Sequence, residues 1–154
     1  MGKAFNYILT ALSLLLAIPV FLIIASWNAL PGDTIYPVKT GLEKGAMLFL
    51  GNSSAGRYLK IKYTKRRFDE ANHLLEEELD SKGYDLLLTE VEESRDSLLQ
   101  ANDRINAEIL QKNISVYRKR IQSQSGELKQ LSNDLETTDQ QLMQIENELN
   151  QIQS

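Results

Sequence analysis

Residues 8–27 form a run of twenty residues without a charged side chain, ILTALSLLLAIPVFLIIASW. A helix of this length spans about 30 Å, which is the hydrocarbon thickness of a bilayer. Tyr7 and Trp27 stand at its two ends, where amphipathic rings favour the membrane–water boundary. Pro19 is tolerated in such a helix with a local kink. The run therefore predicts a transmembrane helix from Ile8 to Trp27.

A cleaved secretory signal peptide is the alternative interpretation of this run. The run is longer than the roughly 7–15 apolar residues of a signal core, and its exit at 25–29 offers no small-x-small cleavage site. We therefore expect an uncleaved anchor. Charge leaves the orientation open, because Lys3 lies on one side and Lys39 and Lys44 lie on the other.

The composition excludes several kinds of chemistry. The 154 residues include no cysteine, which excludes disulfides, thiolate catalysis and cysteine metal sites. The net charge of −4 argues against binding of nucleic acid in bulk. All three prolines precede residue 40, so long helices are allowed beyond Pro37.

Turn signals come directly after the apolar run. Pro31 and Gly32 predict a turn within a connector over 28–36. Pro37 suits the first position of a helix, where its missing N–H costs nothing. We expect this first helix of the polar region to end at about residue 50.

Cap signals then predict an antiparallel helix pair. Gly51 can end the preceding helix in a left-handed conformation, and Ser53 or Ser54 can cap the next one. That helix should run to about residue 80, where Ser-Lys-Gly at 81–83 breaks it. The break is short, so a third helix beginning near residue 84 should lie antiparallel to the second.

From about residue 107 the apolar residues follow a strict heptad pattern, which indicates a coiled coil. The stripe of the third helix has the same period but another phase, so the register shifts near 105–107. Gln124 and Thr138 are the polar exceptions on this seam. Its apolar residues beyond 112 are Ile114, Tyr117, Ile121, Leu128, Leu131, Leu135, Leu142, Ile145, Leu149 and Ile152.

Gly126 leaves two arrangements of this seam open. A glycine in a helix interior costs about 1 kcal/mol relative to alanine. The phase nevertheless continues unbroken from Ile121 to Leu128, as in a continuous or slightly kinked helix. A sharp hairpin at Ser125–Gly126 would let the seam pack within one chain; a continuous helix would leave it for a second copy or another protein.

The predicted fold is all-α, with an N-terminal transmembrane helix and an antiparallel helix pair extended by a long coiled-coil-like C-terminal helix. The predicted boundaries give a tail over 1–7, a membrane helix over 8–27, a connector over 28–36, a helical domain over 37–112 and a heptad tail over 113–154.

A basic stretch without acids lies at 57–67. A solvated face paired with the acids at 76–80 or in the tail is one interpretation. Contact with anionic lipid or cell-wall polymer is another, and nucleic acid is a third. The basic residues are Arg57, Lys60, Lys62, Lys65, Arg66 and Arg67.

His73 is the one histidine, and it shares a helix face with carboxylates. Helical spacing brings Asp69, Glu76, Glu77 and Asp80 near it, a set that could hold a divalent metal only weakly. The alternative is an acidic solvated face, which we favour. The chain carries no GxSxG, P-loop or HExxH motif. We therefore expect no enzyme, cofactor, metal site or small-molecule substrate.

The connector resembles the LPGDxxYPxK opening of the bacterial domain-of-unknown-function family 5667. The matching residues are Leu30, Pro31, Gly32, Asp33, Tyr36, Pro37 and Lys39. Residues 65–71, KRRFDEA, are similar to that family's RRLxEA helix, and the resemblance covers about 28–112. It implies a single-span bacterial membrane protein whose helical domain faces outward. Some members carry this domain behind regions similar to anti-sigma factors.

These features together predict a single-pass cell-membrane protein with an extracytoplasmic helical domain. We expect it to act as a non-catalytic interaction or structural module, with the lipid bilayer as one partner. Self-association or binding of another protein would use the heptad tail, and nucleic acid is not an expected partner. The alternative is a regulatory or sensor element in envelope signalling, which the family resemblance alone suggests.

Overall fold

The computed structural model describes Tyr7, Ser13, Ala17, Phe21, residues 24–26 and residues 28–153. All regular secondary structure in this part of the chain is helical, which confirms the predicted all-α class. The predicted membrane helix over 8–27, with Ile8, Pro19 and Trp27, lies largely outside the described residues. Within the part of the chain that is described, no helix is long and apolar enough to cross a membrane.

The chain divides into two compact units. The first covers Met1–Phe49 and contains the connector and nearly all of helix α1 (Tyr36–Leu50). The second covers Leu50–Ser154. Its described helices are α2 (Ser54–Glu78), α3 (Gly83–Ala101), α4 (Arg104–Glu127) and α5 (Ser132–Gln153).

Helix α1 begins one residue before its predicted start, so that Pro37 lies in the first turn and its missing N–H leaves no partner unsatisfied. The helix ends at Leu50, as predicted. Gly51 comes next with a φ of +53°, which glycine adopts without steric cost. The predicted left-handed cap is thereby confirmed.

Helix α2 has defined caps at both ends. The Ser53 side-chain oxygen accepts a hydrogen bond of 3.1 Å from the backbone N–H of Gly56. At the other end, Leu79 is left-handed with a φ of +53°, and its N–H donates to the carbonyl oxygen of Leu75 at 3.2 Å. The predicted end near residue 80 is correct within two residues.

Helix α3 packs closely against α2 and runs antiparallel to it, as predicted. At the start of α3, a Cβ added to Gly83 would lie 2.7 Å from the Cα of Ala71. Only a glycine lets the two backbones approach this closely. Leu87 and Val91 lie further along the same side of α3, and both are fully buried.

The third helix ends sooner than the sequence indicates, because the shift of register near 105–107 is a break between two helices. Asn102 ends α3 in a left-handed conformation with a φ of +50°. Asp103 then caps α4 by accepting a hydrogen bond of 3.2 Å from the N–H of Asn106. Asparagine tolerates the left-handed region and aspartate is a strong N-cap, so local cap chemistry outweighs the continuing apolar stripe.

The prediction of one long C-terminal helix is wrong. Helix α4 ends at Glu127, residues 128–131 turn, and α5 returns antiparallel to α4. The hairpin alternative is therefore correct, although Gly126 itself lies inside α4 and the turn comes after it. The predicted boundary at 112/113 falls within α4, so 113–154 is no separate tail.

The two hairpins, α2–α3 and α4–α5, form a four-helix bundle in which α2 lies beside α4 and α3 beside α5. The neighbours from different hairpins run parallel, since Ser54 at the start of α2 meets Asn106 at the start of α4. All four helices contribute to one core, in which the rings of Phe68 and Tyr117 stack at 4.3 Å. Each described residue of this core cluster lies between Ile61 and Ile152.

Candidate functional site

The connector motif folds onto the first turns of α1. The Asp33 carboxylate accepts a hydrogen bond of 2.7 Å from the N–H of Leu30, and the Asp33 N–H donates to the Leu30 carbonyl oxygen at 3.0 Å. Gly32 lies between them with a φ of +107°, a conformation that suits only glycine. The aspartate and the glycine of the motif therefore build one tight turn.

Lys39 joins this turn to α1. Its ammonium group donates a hydrogen bond of 2.8 Å to the carbonyl oxygen of Ala29 and lies 5.7 Å from the centre of the Tyr36 ring. Lys39 is only 4% exposed, and Glu43, one turn later, is 7% exposed. The motif lysine is thus a buried structural contact that fixes the start of α1 near the end of the apolar run.

Helix α1 is inverted relative to an ordinary surface helix, a feature that sequence reasoning missed. Two of its three charged residues, Lys39 and Glu43, are buried, and Lys44 is exposed, whereas five apolar side chains in or beside the helix are exposed. These are Ile35 just before the helix, at 37%, Leu42 at 42%, Leu48 at 85%, Phe49 at 95% and Leu50 at 39%. The spacing of seven between residues 35, 42 and 49 places them on one helical row, and this spacing is the signal that could have revealed the face.

The basic stretch at 57–67 does not form one patch. Arg57 Nε lies 2.7 Å from an Asp103 oxygen, and Lys60 Nζ lies 2.9 Å from a Glu93 oxygen. Arg67 is buried and donates to both oxygens of the buried Glu70, at 2.7 and 3.0 Å.

The remaining basic residues of this stretch lie further out. Lys62 is exposed and stands 5.1 Å from the centre of the Tyr58 ring, and Lys65 is also exposed. Arg66 is half-buried. Helix α2 therefore uses Arg57, Lys60 and Arg67 for ion pairs within the bundle, which leaves a smaller positive surface than the sequence indicates.

Asp103 is the centre of a polar cluster between the starts of α2 and α4. Besides capping α4, its carboxylate accepts hydrogen bonds from Arg57 at 2.7 Å, from the Asn106 side chain at 2.8 Å and from the Ser54 hydroxyl at 3.3 Å. Burial opposes ionisation of this group, but the hydrogen bonds from Arg57 and Asn106 outweigh it and lower the Asp103 pKa. The ionised Asp103 carboxylate therefore links the start of the second hairpin to the start of the first.

His73 lies on an exposed stretch of α2, where its Nε2 stands 3.3 Å from a Glu77 oxygen. Desolvation raises the pKa of the nearby Asp69 carboxyl, against the opposing effect of Lys65. Glu76, the next predicted member, instead accepts a hydrogen bond from Arg120 at 2.6 Å. No group of three His, Cys, Asp or Glu residues suited to a metal occurs among the residues that the structure describes.

The heptad seam lies inside the bundle. Ile114, Tyr117 and Ile121 on α4 are buried, as are five seam residues on α5, and the two in the turn pack partly buried against the core. The five on α5 are Leu135, Leu142, Ile145, Leu149 and Ile152; the two in the turn are Leu128 and Leu131. The seam is therefore occupied by packing within one chain.

Buried polar groups interrupt this core at two levels. The hydroxyls of Thr64 and Tyr117 lie 3.2 Å apart, and burial raises the Tyr117 pKa to about 12. The Tyr84 hydroxyl lies 2.9 Å from the Asn72 oxygen and 3.0 Å from the Gln124 oxygen. Burial raises the pKa of Tyr84 by more than it raises that of Tyr117. The Tyr84 hydroxyl thus gives the polar Gln124 on the seam one partner on α3, which no sequence pattern reveals. The Gln124 Nε2 is buried without a hydrogen-bond partner among the described residues.

The grooves on the bundle surface gather near the α4–α5 turn. One, of about 330 Å³, is lined by Leu79 and by residues 127–131. Another, of about 540 Å³, lies beside Ser125, Gly126 and Ser132. Both are open, and neither is lined by Tyr84, Asp103 or Tyr117.

No family model, curated protein or solved structure matches this chain.

Proposed function

We propose that this protein is a single-pass, membrane-anchored helical protein whose bundle faces the cell exterior and acts as a non-catalytic interaction or structural module. The observation that carries the proposal is the self-contained core of Leu50–Ser154. The described core residues all belong to this unit, and the heptad seam is used within it. A bundle that completes its own core can be carried on a tether as an independent module.

The anchor is supported by the uncharged run at 8–27 and by the connector beside it. The run has bilayer length. The bond between Lys39 and Ala29 ties the connector to α1, so the folded region begins within two residues of Trp27. Such a short, structured connector suits a chain that leaves a membrane and folds at its surface.

The non-catalytic role is supported by the surroundings of the titratable groups. Shifted pKa values can mark catalytic residues, but structural networks shift them as well. Here Tyr84 and Tyr117 are hydrogen-bonded to core side chains, and Asp103 is occupied by a helix cap and an ion pair. Burial in the core raises the pKa values of Tyr84 and Tyr117. The hydrogen bonds from Arg57 and Asn106 lower the pKa of Asp103, so each shift has a structural cause.

Membership of the unknown-function family is part of this proposal. Its support is that Asp33 and Lys39 of the LPGDxxYPxK-type opening each make a specific contact in the connector. The outward orientation comes from the same resemblance, since charge alone leaves it open.

The proposal is tested by cysteine labelling in intact bacterial cells, because the chain has no cysteine of its own. Glu77→Cys places a thiol on an exposed position of α2. We expect a membrane-impermeant maleimide to label it in intact cells and to label the matched control Lys3→Cys only after permeabilisation. The protein should also stay in the membrane pellet after carbonate extraction.

Two results would contradict parts of this proposal. Labelling of Lys3→Cys but not Glu77→Cys in intact cells would reverse the orientation. Release of the full-length protein by carbonate would remove the anchor.

A further inference from the structure

We propose that the uncharged face of α1 lies in the lipid–water interface of the membrane that anchors the chain. The proposal rests on the anchor proposed above and identifies a second contact with the same bilayer. Its basis is the inverted arrangement of α1, which buries Lys39 and Glu43 and exposes Leu42, Leu48 and Phe49.

The composition of the exposed face suits lipid. Ile35, Leu42 and Phe49 form the row along one edge of the face. Leu48 lies about 100° further round the helix at the other edge, with Gly41 and Gly45 between them. Gly41 is exposed, and a Cβ added to Gly41 or to the half-buried Gly45 would meet open space. An apolar face exposed to this extent on a short helix is typical of interfacial membrane binding.

The exposed charge near this face has a suitable position. Lys44 is exposed, and by helical geometry it lies beyond Gly41 and Leu48 at the margin of the apolar face. A lysine at such a margin can extend its ammonium group toward the lipid headgroups while its methylene groups stay apolar. The face is thus apolar at its centre and basic at its edge.

The connector holds α1 near the membrane exit. The Lys39 ammonium bonds to the carbonyl oxygen of Ala29, two residues after the apolar run ends. If 8–27 crosses the bilayer, Ala29 lies at its surface, and the first turns of α1 are held within one lysine side chain of that surface. Each chain therefore holds α1 next to the bilayer without any partner. Contact of this face with a second copy would first require two chains to associate.

The test uses the full-length protein in vesicles with an environment-sensitive fluorophore on a single introduced cysteine. Phe49→Cys and Leu42→Cys place the label on the proposed lipid face. Val116→Cys is the matched control, because Val116 is an apolar residue of α4 that is 60% exposed. Aqueous iodide and a nitroxide carried on the lipid headgroups are the two quenchers.

We expect the labels at 42 and 49 to be blue-shifted, quenched by the lipid nitroxide and several-fold less sensitive to iodide than the label at 116. Equal iodide sensitivity at 42, 49 and 116, with the protein still resistant to carbonate, would overturn the lipid contact and leave the anchor intact. Shielding from both quenchers, with oxidative crosslinking of Phe49→Cys between chains, would assign the face to a second copy instead. Release by carbonate would contradict the anchor itself.

Discussion

Two of the helices end at a residue other than glycine that has a left-handed backbone conformation. Asn102 adopts it at little cost, because its short polar side chain tolerates this conformation. Leu79 has a φ of +53° and should pay about 1–2 kcal/mol for it. Its side chain is 56% exposed beside a shallow groove, so packing returns little of that cost.

Replacing Leu79 by glycine should therefore stabilise the bundle. We expect Leu79→Gly to raise the free energy of unfolding by about 1 kcal/mol, measured by urea denaturation of residues 50–154. Leu79→Ala is the control, because it removes the same side chain but keeps the strained Cβ. An equal gain in both variants would contradict the strain and point to the leucine side chain.

Two other glycines should respond to alanine in opposite directions. Gly83→Ala should lower the free energy of unfolding by about 1–3 kcal/mol, because the new methyl group would overlap the backbone of Ala71. Gly126→Ala should raise it by up to about 1 kcal/mol, since Gly126 lies in α4 with open space around it. The same denaturation measurement gives both values, and effects of the same sign would contradict the close approach at Gly83.

At the scale of elements, α2 and α4 begin side by side, and residues of both contact the Asp103 carboxylate. Asp103 caps α4 and pairs with Arg57 of α2, so its charge serves two helices at once. Interactions of this kind with an ionised partner contribute more than neutral hydrogen bonds. The start of the second hairpin is thus coupled to the start of the first.

Asp103→Asn should lower the free energy of unfolding by about 2 kcal/mol at pH 7, because the cap remains but the charge is lost. The folded state lowers the Asp103 pKa, so stabilisation by the ionised carboxylate is complete above about pH 4 and is lost as the pH falls through the lowered pKa. The difference from the wild type should therefore shrink below pH 4. Urea denaturation at a series of pH values measures it.

The control for that series is Glu108→Gln. Glu108 also pairs with a base, Lys112, at 2.7 Å, but on the exposed surface of α4. We expect this substitution to change the stability little at any pH. A comparable loss in Glu108→Gln would mean that general surface charge, and not the cluster around Asp103, accounts for the effect.

The sequence predicted elements where local chemistry is decisive. Gly51, Ser53 and the break at 81–83 marked helix ends correctly because each acts through its own backbone or its nearest neighbours. No local signal of this kind predicted the turn at 128–131. The apolar residues keep the same heptad phase from Ile121 to Leu135. A continuous helix and a helical hairpin would both show this phase, because each helix of a hairpin needs the same apolar row for packing.

The functional surfaces were harder to predict than the helices. Heptad spacing identified the seam residues but not their partner, which is the rest of the same chain. The basic residues at 57–67 looked like one patch because Asp103 and Glu93, which pair with Arg57 and Lys60, are distant in sequence. Likewise, burial of Lys39 depends on its bond to Ala29, which the pattern of charges does not reveal.

At the scale of the whole molecule, the bundle should be independent of its anchor. We expect residues 50–154 to fold cooperatively and to remain monomeric at micromolar concentrations, because the heptad seam is buried within one chain. Circular dichroism during urea denaturation and light scattering measure these two properties. A stable dimer would mean that another surface of the bundle associates.

Because α2 and α4 run parallel, both begin at one end of the bundle and both finish at the opposite end. Residue 50, where the chain enters, lies at the end that contains Asp103, whereas the turns at 79–82 and 128–131 meet at the opposite end, where Ser81 bonds to Asp134 at 2.9 Å. Helix α2 has 25 residues, so these turns stand about 37 Å from the point of entry. A peptide epitope inserted between Lys129 and Gln130 would be displayed at that distance, where an antibody could reach it.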